Sequence, residues 1–395
     1  MSGSGSNWRA AEAGRRGAEV RGDLWLGWEP GGAEVRVELH SRLASLYGDA
    51  TRRLLESLLA AADAPSGVLR VEDQGAYPFL IRARFESLVR KASGDPSFRV
   101  EPEPPLGPPP GPPRRDRPRR SRLYLPGNEA KYMLNAALHR PDGVILDLED
   151  SVAPAAKEDA RALVRHALHT LDWGGCERMV RINQGEAGLA DLAALADAPF
   201  HLLLIPKVES AEEVRALDQA VGERELLFMP ILETARGVMN AMEIAAASPR
   251  NVALTLGLED LTADLGVAKT AEGEETRWAC SRVILAAKAH GLQAIDSVYG
   301  DVADEAGLRA SLRRAKAMGF EGKGCVHPRQ IRVVHEELAP SAAEIERARR
   351  IVAAWEEARA RGEGVVALGA KMIDPPVVKR ALALVRRLEE AGAAD

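Results

Sequence analysis

Cysteine is scarce in this sequence. Only Cys176, Cys280 and Cys325 occur in 395 residues, far apart and without a CxxC or Cys/His ligand spacing. That argues against a disulfide framework and a zinc site, and suits a reducing, cytoplasmic compartment. Long apolar runs are also missing. No stretch of about 18 apolar residues occurs, and the opening MSGSGSNWRAAEAGRR has no apolar h-region, so neither a membrane span nor a signal peptide is expected. Charge of one sign is not in excess: the formal net charge of −5 is small for this length and gives no reason to expect nucleic acid or an anionic membrane as partner. The motifs GxGxxG, GxxxxGK[ST] and GxSxG do not occur in a strand-turn-helix setting, which sets aside Rossmann, P-loop and nucleophile-elbow chemistry.

What is present is enough apolar sequence, 46%, to bury the cores of two domains of unequal size. The clearest boundary is EPEPPLGPPPGPPRRDRPRR, where proline removes amide donors and favours an extended spacer. Its arginines Arg114, Arg115, Arg117, Arg119 and Arg120 read better as a solvated linker than as a phosphate-attracting cluster. Before the linker, DLWLGWEP, AEVRVELH and VLRVED alternate like half-buried strands, and Arg42 to Ala62 and FLIRARFESLVRKA have helical spacing. After it, the apolar runs RLYLP, GVILDLED, ERMVRIN, LLLIPK, ELLFMPILE, VALTLGLED, QAIDSV and GKGCVHP alternate with helical segments. The expected architecture is therefore α/β, a (βα)₈ TIM barrel carrying a small N-terminal α+β domain. The expected divisions are a disordered N-terminus over 1–16, an α+β domain over 17–93, a Pro/Arg-rich linker over 94–120, the barrel over 121–340 and a C-terminal helical extension over 341–395.

Every expected barrel strand except the first ends near an ionisable residue: Glu149 and Asp150, Arg181, Lys207, Glu233, Asp260, Asp296 and His327. In a barrel these ends converge on one mouth, where the active sites of this fold lie. Glu233 and Asp260 fall on adjacent strands and could share a hard cation such as Mg²⁺, which takes one or two protein carboxylates and leaves room for substrate oxygens. From spacing alone, a carboxylate pair balanced by Lys207 or Arg236 is an equally good reading. Glu259 replaces Asp260 if the register slips by one residue. Arg181 offers a carboxylate the bidentate fork of a guanidinium, or serves as counter-ion to Glu149 or Asp150. His327, alone before a proline, and Cys325, in an apolar run, read as structural.

At RSRLYLPGN, DGVILDLEDSV, VRIN, LLIPKVES, PILETARG, TLGLEDLTADLG, GFEGKGCVHPRQI and GAKMIDPPVVKRA the chain resembles the citrate lyase beta subunit and the malyl-CoA and citramalyl-CoA lyases, within the HpcH/HpaI aldolase superfamily. The resemblance implies a carbon-carbon lyase that cleaves a hydroxyacyl CoA thioester to an acetyl thioester and a 2-oxo acid. It implies Mg²⁺ on Glu233 and Asp260, Arg181 on the carboxylate of the oxo acid, and Asp374, in MIDPP, as the acid or base reaching a neighbouring subunit's site. That last role requires an oligomer, and the resemblance implies a homotrimer or its multiples. Arg122 and Lys131 read as contacts for the phosphates of the thioester carrier, or as surface charges.

Residues from about Gly17 to Ala92 resemble the citrate lyase acyl carrier and the related carrier of malonate decarboxylase. Such carriers hold their prosthetic arm on a serine immediately before a Gly-Asp pair. Here Arg21 precedes Gly22 and Asp23, and Ser41 and Ser45 read as capping or solvent-facing residues. No covalently attached group is therefore expected, and this domain reads as a docking or assembly module. Competing functions are a beta subunit working within citrate-lyase-like subunits on a separately carried thioester, a thioester hydrolase, and a non-catalytic scaffold.

Overall fold

The computed structural model describes residues 8–17, 19–361, 366–368 and 371–392, in two compact units, Met1–His335 and Glu336–Asp395. The first begins with β1 (Ala11–Gly14), β2 (Leu24–Pro30), β3 (Val35–Ser41) and β4 (Gly67–Asp73), ordered β1-β2-β4-β3. Strands β3 and β4 run parallel, joined through the helix Ala44–Ala61, whereas β2 pairs antiparallel with β1 and β4. Period-two alternation buries Leu24, Leu26, Trp28, Leu69 and Val71 on the face covered by the helix Pro78–Ser93. The expectation of disorder over 1–16 is corrected for residues 8–16. Trp8 is buried edge-on to Trp28, ring centroids 5.1 Å apart, and anchors β1 on β2. Burial of a tryptophan offsets the cost of ordering a short strand. Residues 1–7 lie outside the described part.

The proline-rich segment is not a free spacer. Arg115 donates to the carbonyl of Asn251 at 2.8 Å and Arg119 grips Glu177 through two bonds of 2.7 Å, both side chains fully buried. Arg120 takes Asp142 in the same two-pronged way. The arginines expected to be solvated are spent fastening the linker to the floor of the barrel, because each fork finds a carboxylate or backbone carbonyl there. Arg114 instead pairs with the exposed Asp116.

Eight parallel strands close the barrel: β5 (Ser121–Pro126), β6 (Gly143–Asp147), β7 (Glu177–Arg181), β8 (Leu202–Ile205), β9 (Leu227–Leu232), β10 (Ala253–Leu256), β11 (Gln293–Asp296) and β12 (Gly322–Cys325), with β12 pairing back to β5. They are apolar on both faces because helices cover the outside and side chains fill the inside. Ile145, Met179, Leu202, Leu204, Met229, Ile231 and Ile295 form that interior packing. The sheet domain joins the barrel through the helix Pro78–Ser93, which lies along the helix Lys157–Thr170. At this seam the fully buried Glu86 accepts from Val100 N–H at 2.9 Å, from Arg165 at 3.3 Å, and also from Arg90, and lies 3.1 Å from His166 Nε2.

In the second unit the helices Ala342–Ala360 and Pro375–Gly392 bury Ala348, Ile351, Ala358, Val378 and Ala381 against each other. Ser341 and Glu344 form a capping box at the start of the first. The helical extension expected over 341–395 also carries a strand pair: β13 (Val366–Leu368) and β14 (Lys371–Ile373) pair antiparallel between the helices. Paired, the two short strands satisfy each other's backbone groups.

Candidate active site

The C-terminal ends of the barrel strands enclose a cavity of about 460 Å³ whose lining includes Arg122, Tyr124, Asp147, Asp150, Arg181, Glu233, Thr255, Glu259, Asp260 and Asp296. Glu233 stands immediately beyond β9 and is 3% exposed. Its Oε1 accepts from the backbone N–H of Lys207 at 2.8 Å. Lys207 makes that bond from a left-handed backbone, φ 51°, a strained conformation for a residue with a Cβ and one that concentrates at functional sites. Opposite, Gly257 leaves the room: a Cβ there would lie 2.2 Å from Glu233 Oε2. Asp260 is one residue layer further out, in the first turn of the helix Leu258–Asp264 rather than on the strand itself.

The electrostatics of this pair are unbalanced. Burial, and then the charge of Asp260, push the Glu233 carboxyl up to about 8. No described side-chain cation bonds to it, and the balancing lysine expected from the sequence, Lys207, gives Glu233 only its backbone N–H. The Lys207 ammonium instead reaches Glu149 at 2.6 Å and Asp150 at 3.3 Å, and Arg236 lies 3.7 Å from Glu209. A hard divalent cation fits this donor set. Among the described residues no group of three or more His, Cys, Asp or Glu could hold a metal, so such a cation would have two carboxylates and fill its shell with water and substrate oxygens, the usual habit of Mg²⁺. Glu259, the alternative in the register, also lines the cavity, but its carboxylate is bonded to Lys269.

Arg181, the last residue of β7, lays Nε and one terminal nitrogen on Asp147 at 2.6 and 2.7 Å. Its other terminal nitrogen is 3.0 Å from Glu149, and the guanidinium packs over Tyr124. Burial opposes its charge, yet the bonds it donates to Asp147 and the charges of the nearby acids raise its pKa. Asp147, the principal partner, is absent from the sequence-derived ring. The signal was the D-L-E-D spacing in GVILDLED, which turns Asp147 and Glu149 to the same side. Gly257 in TLGLED was equally readable as a position where another group approaches closely.

The other expected residues fall elsewhere. Arg122 is corrected on one point: it is no surface charge but fully buried on β5, lining the cavity from inside the barrel. Lys131 is exposed, 3.4 Å from Glu129 and stacked on Tyr132, outside the cavity lining. Asp296 meets Lys323 at 2.5 Å in a buried ion pair. His327 accepts from the Arg329 N–H at 3.1 Å and does not line the cavity. Asp374 belongs to the second unit, exposed, with its carbonyl accepting from Val377 N–H at 2.9 Å at the start of the last helix. In the sheet domain, Arg21 is exposed, Gly22 has φ 65°, and Asp23 is buried in a two-bond pair with Arg84.

Residues 120–328 match the HpcH/HpaI aldolase/citrate lyase family. The chain belongs to this family. Its N-terminal residues 14–92 match the malonate decarboxylase delta subunit (MdcD) family, so an MdcD-like domain precedes the aldolase barrel. Over 280 residues the chain is 37% identical to the citrate lyase subunit beta of Haemophilus influenzae, covering 68% of this chain and 96% of that protein. It is 40% identical over 259 residues to a (3S)-malyl-CoA thioesterase of Cereibacter sphaeroides, covering 65% and 90% respectively. The crystal structure of protein CitE from Mycobacterium tuberculosis in complex with magnesium, acetoacetate and coenzyme A superposes with a TM-score of 0.59 at 36% identity, over 69% of this chain and 98% of that one.

Proposed function

We propose that this HpcH/HpaI family member is a Mg²⁺-dependent carbon-carbon lyase that cleaves a hydroxyacyl CoA thioester, of the citryl, citramalyl or malyl type, to an acetyl thioester and a 2-oxo acid. The observation that carries the reading is the carboxylate pair of buried Glu233 and half-buried Asp260, with no described side-chain cation bonded to Glu233, beside an arginine locked in orientation by Asp147. Glu233 and Asp260 would hold the Mg²⁺, which supplies Lewis acidity to the substrate's hydroxyl and adjacent carboxylate. Arg181, its far edge fixed on Asp147, binds the carboxylate that ends up in the oxo acid and so orients the bond to be broken. The hydroxyl passes its proton to a base in the site, its oxygen becomes the 2-oxo carbonyl of the product acid, and the bonding pair of the broken carbon-carbon bond passes to the acetyl carbon as a thioester enolate. That carbon then takes a proton. Likeness to the family supports Asp374 as the group that handles this proton in a neighbouring copy's site, which requires a homo-oligomer, a trimer or its multiple. Lys131, exposed near the chain's GNEAK turn, is the phosphate contact we assign to the CoA end.

The carrier-like domain is proposed to dock or assemble rather than to carry, since Arg21 has no hydroxyl for a phosphodiester. Among the described residues no helix is long and apolar enough to cross a membrane, in keeping with a proposed cytoplasmic setting. The test is release of oxo acid by the purified full chain from citryl-CoA, citramalyl-CoA and malyl-CoA, with Mg²⁺ or with chelator. Cleavage of one ester that needs Mg²⁺ and disappears in both Glu233→Ala and Asp260→Ala establishes the lyase. Thiol release without oxo acid identifies the hydrolase instead, a reading favoured by the likeness to the malyl-CoA thioesterase. Silence on all three esters points to a subunit that needs a separately loaded carrier.

A further inference from the structure

Arg122 is a cation without a counter-ion. Its side chain is fully buried inside the barrel, yet it forms no ion pair with any described carboxylate. One terminal nitrogen touches Thr255 Oγ1 at 3.1 Å and Met229 Sδ at 2.9 Å, and the Nε–H has no partner. Four of the other buried arginines are paired: Arg84 sits on Asp23, Arg119 on Glu177, Arg161 on Asp191 and Arg165 on Glu86 and Asp197. The fifth, Arg178, lies away from the cavity and donates to the backbone carbonyls of Leu168 and Pro199. A guanidinium cannot shed its proton in a protein. Leaving it in the interior with one hydroxyl and a thioether, both weak compensation, costs several kcal/mol.

Its place in the barrel indicates what is missing. Thr255 pairs with Ile231 on β9, and Glu233 is the next residue after Ile231 to face the same way. The guanidinium therefore lies about one pleat repeat, roughly 7 Å along the strand, beneath the proposed metal-binding carboxylate. Arg122, Ile231, Thr255, Glu233 and Arg181 all line the one cavity. A molecule held at its upper end by Arg181 and the cation has the rest of its acyl part directed down towards Arg122.

We propose that Arg122 is the specificity-determining residue of this site and that it binds a second carboxylate on the oxo-acid half of the substrate. Resting on the lyase reading above, this narrows the substrate class to thioesters whose cleavage yields a 2-oxo acid with a further carboxylate. An oxo acid bearing hydrogen or methyl at that place leaves the guanidinium unpaired. A site built to bond a charged group rejects analogues lacking it far more strongly than a hydrophobic pocket rejects a missing methylene.

The experiment measures binding of glyoxylate, pyruvate, oxaloacetate and 2-oxoglutarate to the full chain by calorimetry, with and without Mg²⁺, so that no turnover is needed. In the wild type the better of the two dicarboxylates should bind at least about 100-fold more tightly than pyruvate. Arg122→Met should collapse that ratio towards one, and Arg122→Lys, which retains the buried charge without the fork, should give an intermediate value. A wild-type ratio near one overturns the inference whatever the variants do, as does a large ratio that survives in Arg122→Met. Mg²⁺-dependent binding of pyruvate without discrimination leaves the lyase reading standing and removes only this inference. Failure of every oxo acid to bind removes both.

Discussion

Two buried glutamates, one at the seam between sheet domain and barrel and one at the barrel mouth, show how the same side chain is put to opposite uses. Glu86 is fully buried and Glu233 is 3% exposed, so burial alone should raise both. At the seam that effect is outweighed by the bond from His166, the charge of Arg90 and the Val100 N–H, and the Glu86 pKa falls below its usual value. At the mouth the Lys207 N–H and the charge of Arg181 oppose it too weakly, Asp260 adds repulsion, and Glu233 rises to about 8. The protein has compensated one carboxylate internally and left the other to a ligand. Perturbed carboxyls of the second kind mark functional sites; those of the first kind mark architecture.

The sharpest way to break this contrast is to delete each acid in turn. Glu233→Ala should lower kcat/KM for the cleaved thioester by at least about 10³-fold, the several kcal/mol expected of a lost cation site. Unfolding measured without Mg²⁺ at pH 8 should show equal or greater stability, since an uncompensated buried charge has gone. Glu86→Ala should do the reverse. Removing it strands Arg90 and His166, leaves Arg165 with Asp197 alone, and should cost about 3 to 5 kcal/mol in denaturant unfolding, while kcat per folded molecule stays within the error of the assay. A Glu86→Ala protein as stable as the wild type would mean that the seam is solvated and that the contrast is false.

How much of this the sequence disclosed follows the same division. The eight apolar runs announced the barrel because a parallel strand buried on both faces must be apolar throughout, and Glu233, Asp260 and Arg181 stood out because strand ends in this fold converge. The seam was invisible. Glu86 lies in FESLVRKA as an ordinary helical acid, and nothing local records that Arg165, some 79 residues away in the chain, will meet it. Arg122 was legible as a charge but not as a buried one, since alternation in RLYLP does not say which side faces the barrel axis when both sides are apolar. Arg119 failed for the opposite reason: a run of arginines and prolines looks solvated until the partner, Glu177, is brought under it. Pairings across long sequence separations are a tertiary property, and they decide whether a charge is structural or awaiting a ligand.

A subtler perturbation of the mouth spares both carboxylates. In Gly257→Ala the added methyl would fall 2.2 Å from Glu233 Oε2 and 2.7 Å from its Cβ, so the acid must move. A displacement of about 1 Å in a reacting constellation costs on the order of 10²-fold. The expected result is a loss of that size in kcat/KM and a higher Mg²⁺ concentration for half-activity, with the far-ultraviolet circular dichroism of the barrel retained. Wild-type Mg²⁺ dependence in this variant would mean that Glu233 does not hold the cation in the position its hydrogen bond to Lys207 defines.

The smallest effect concerns acid. Burial first, only partly offset by Glu86, lowers the His166 pKa below 6.5, so the unfolded chain binds a proton there that the folded chain refuses. Stability from this residue is complete above pH 6.5 and is lost as pH falls below it. Glu86, also lowered, contributes stability that is complete above its ordinary 4.5 and is lost as pH falls through its depressed folded value. The two losses have the same sign and follow one another, so the unfolding midpoint should decline from about pH 6.5 and more steeply below pH 4.5. In Glu86→Gln the second, steeper part should flatten, because glutamine has no proton to take up. A midpoint that declines identically in wild type and Glu86→Gln would place the acid-sensitive carboxylate somewhere other than the seam.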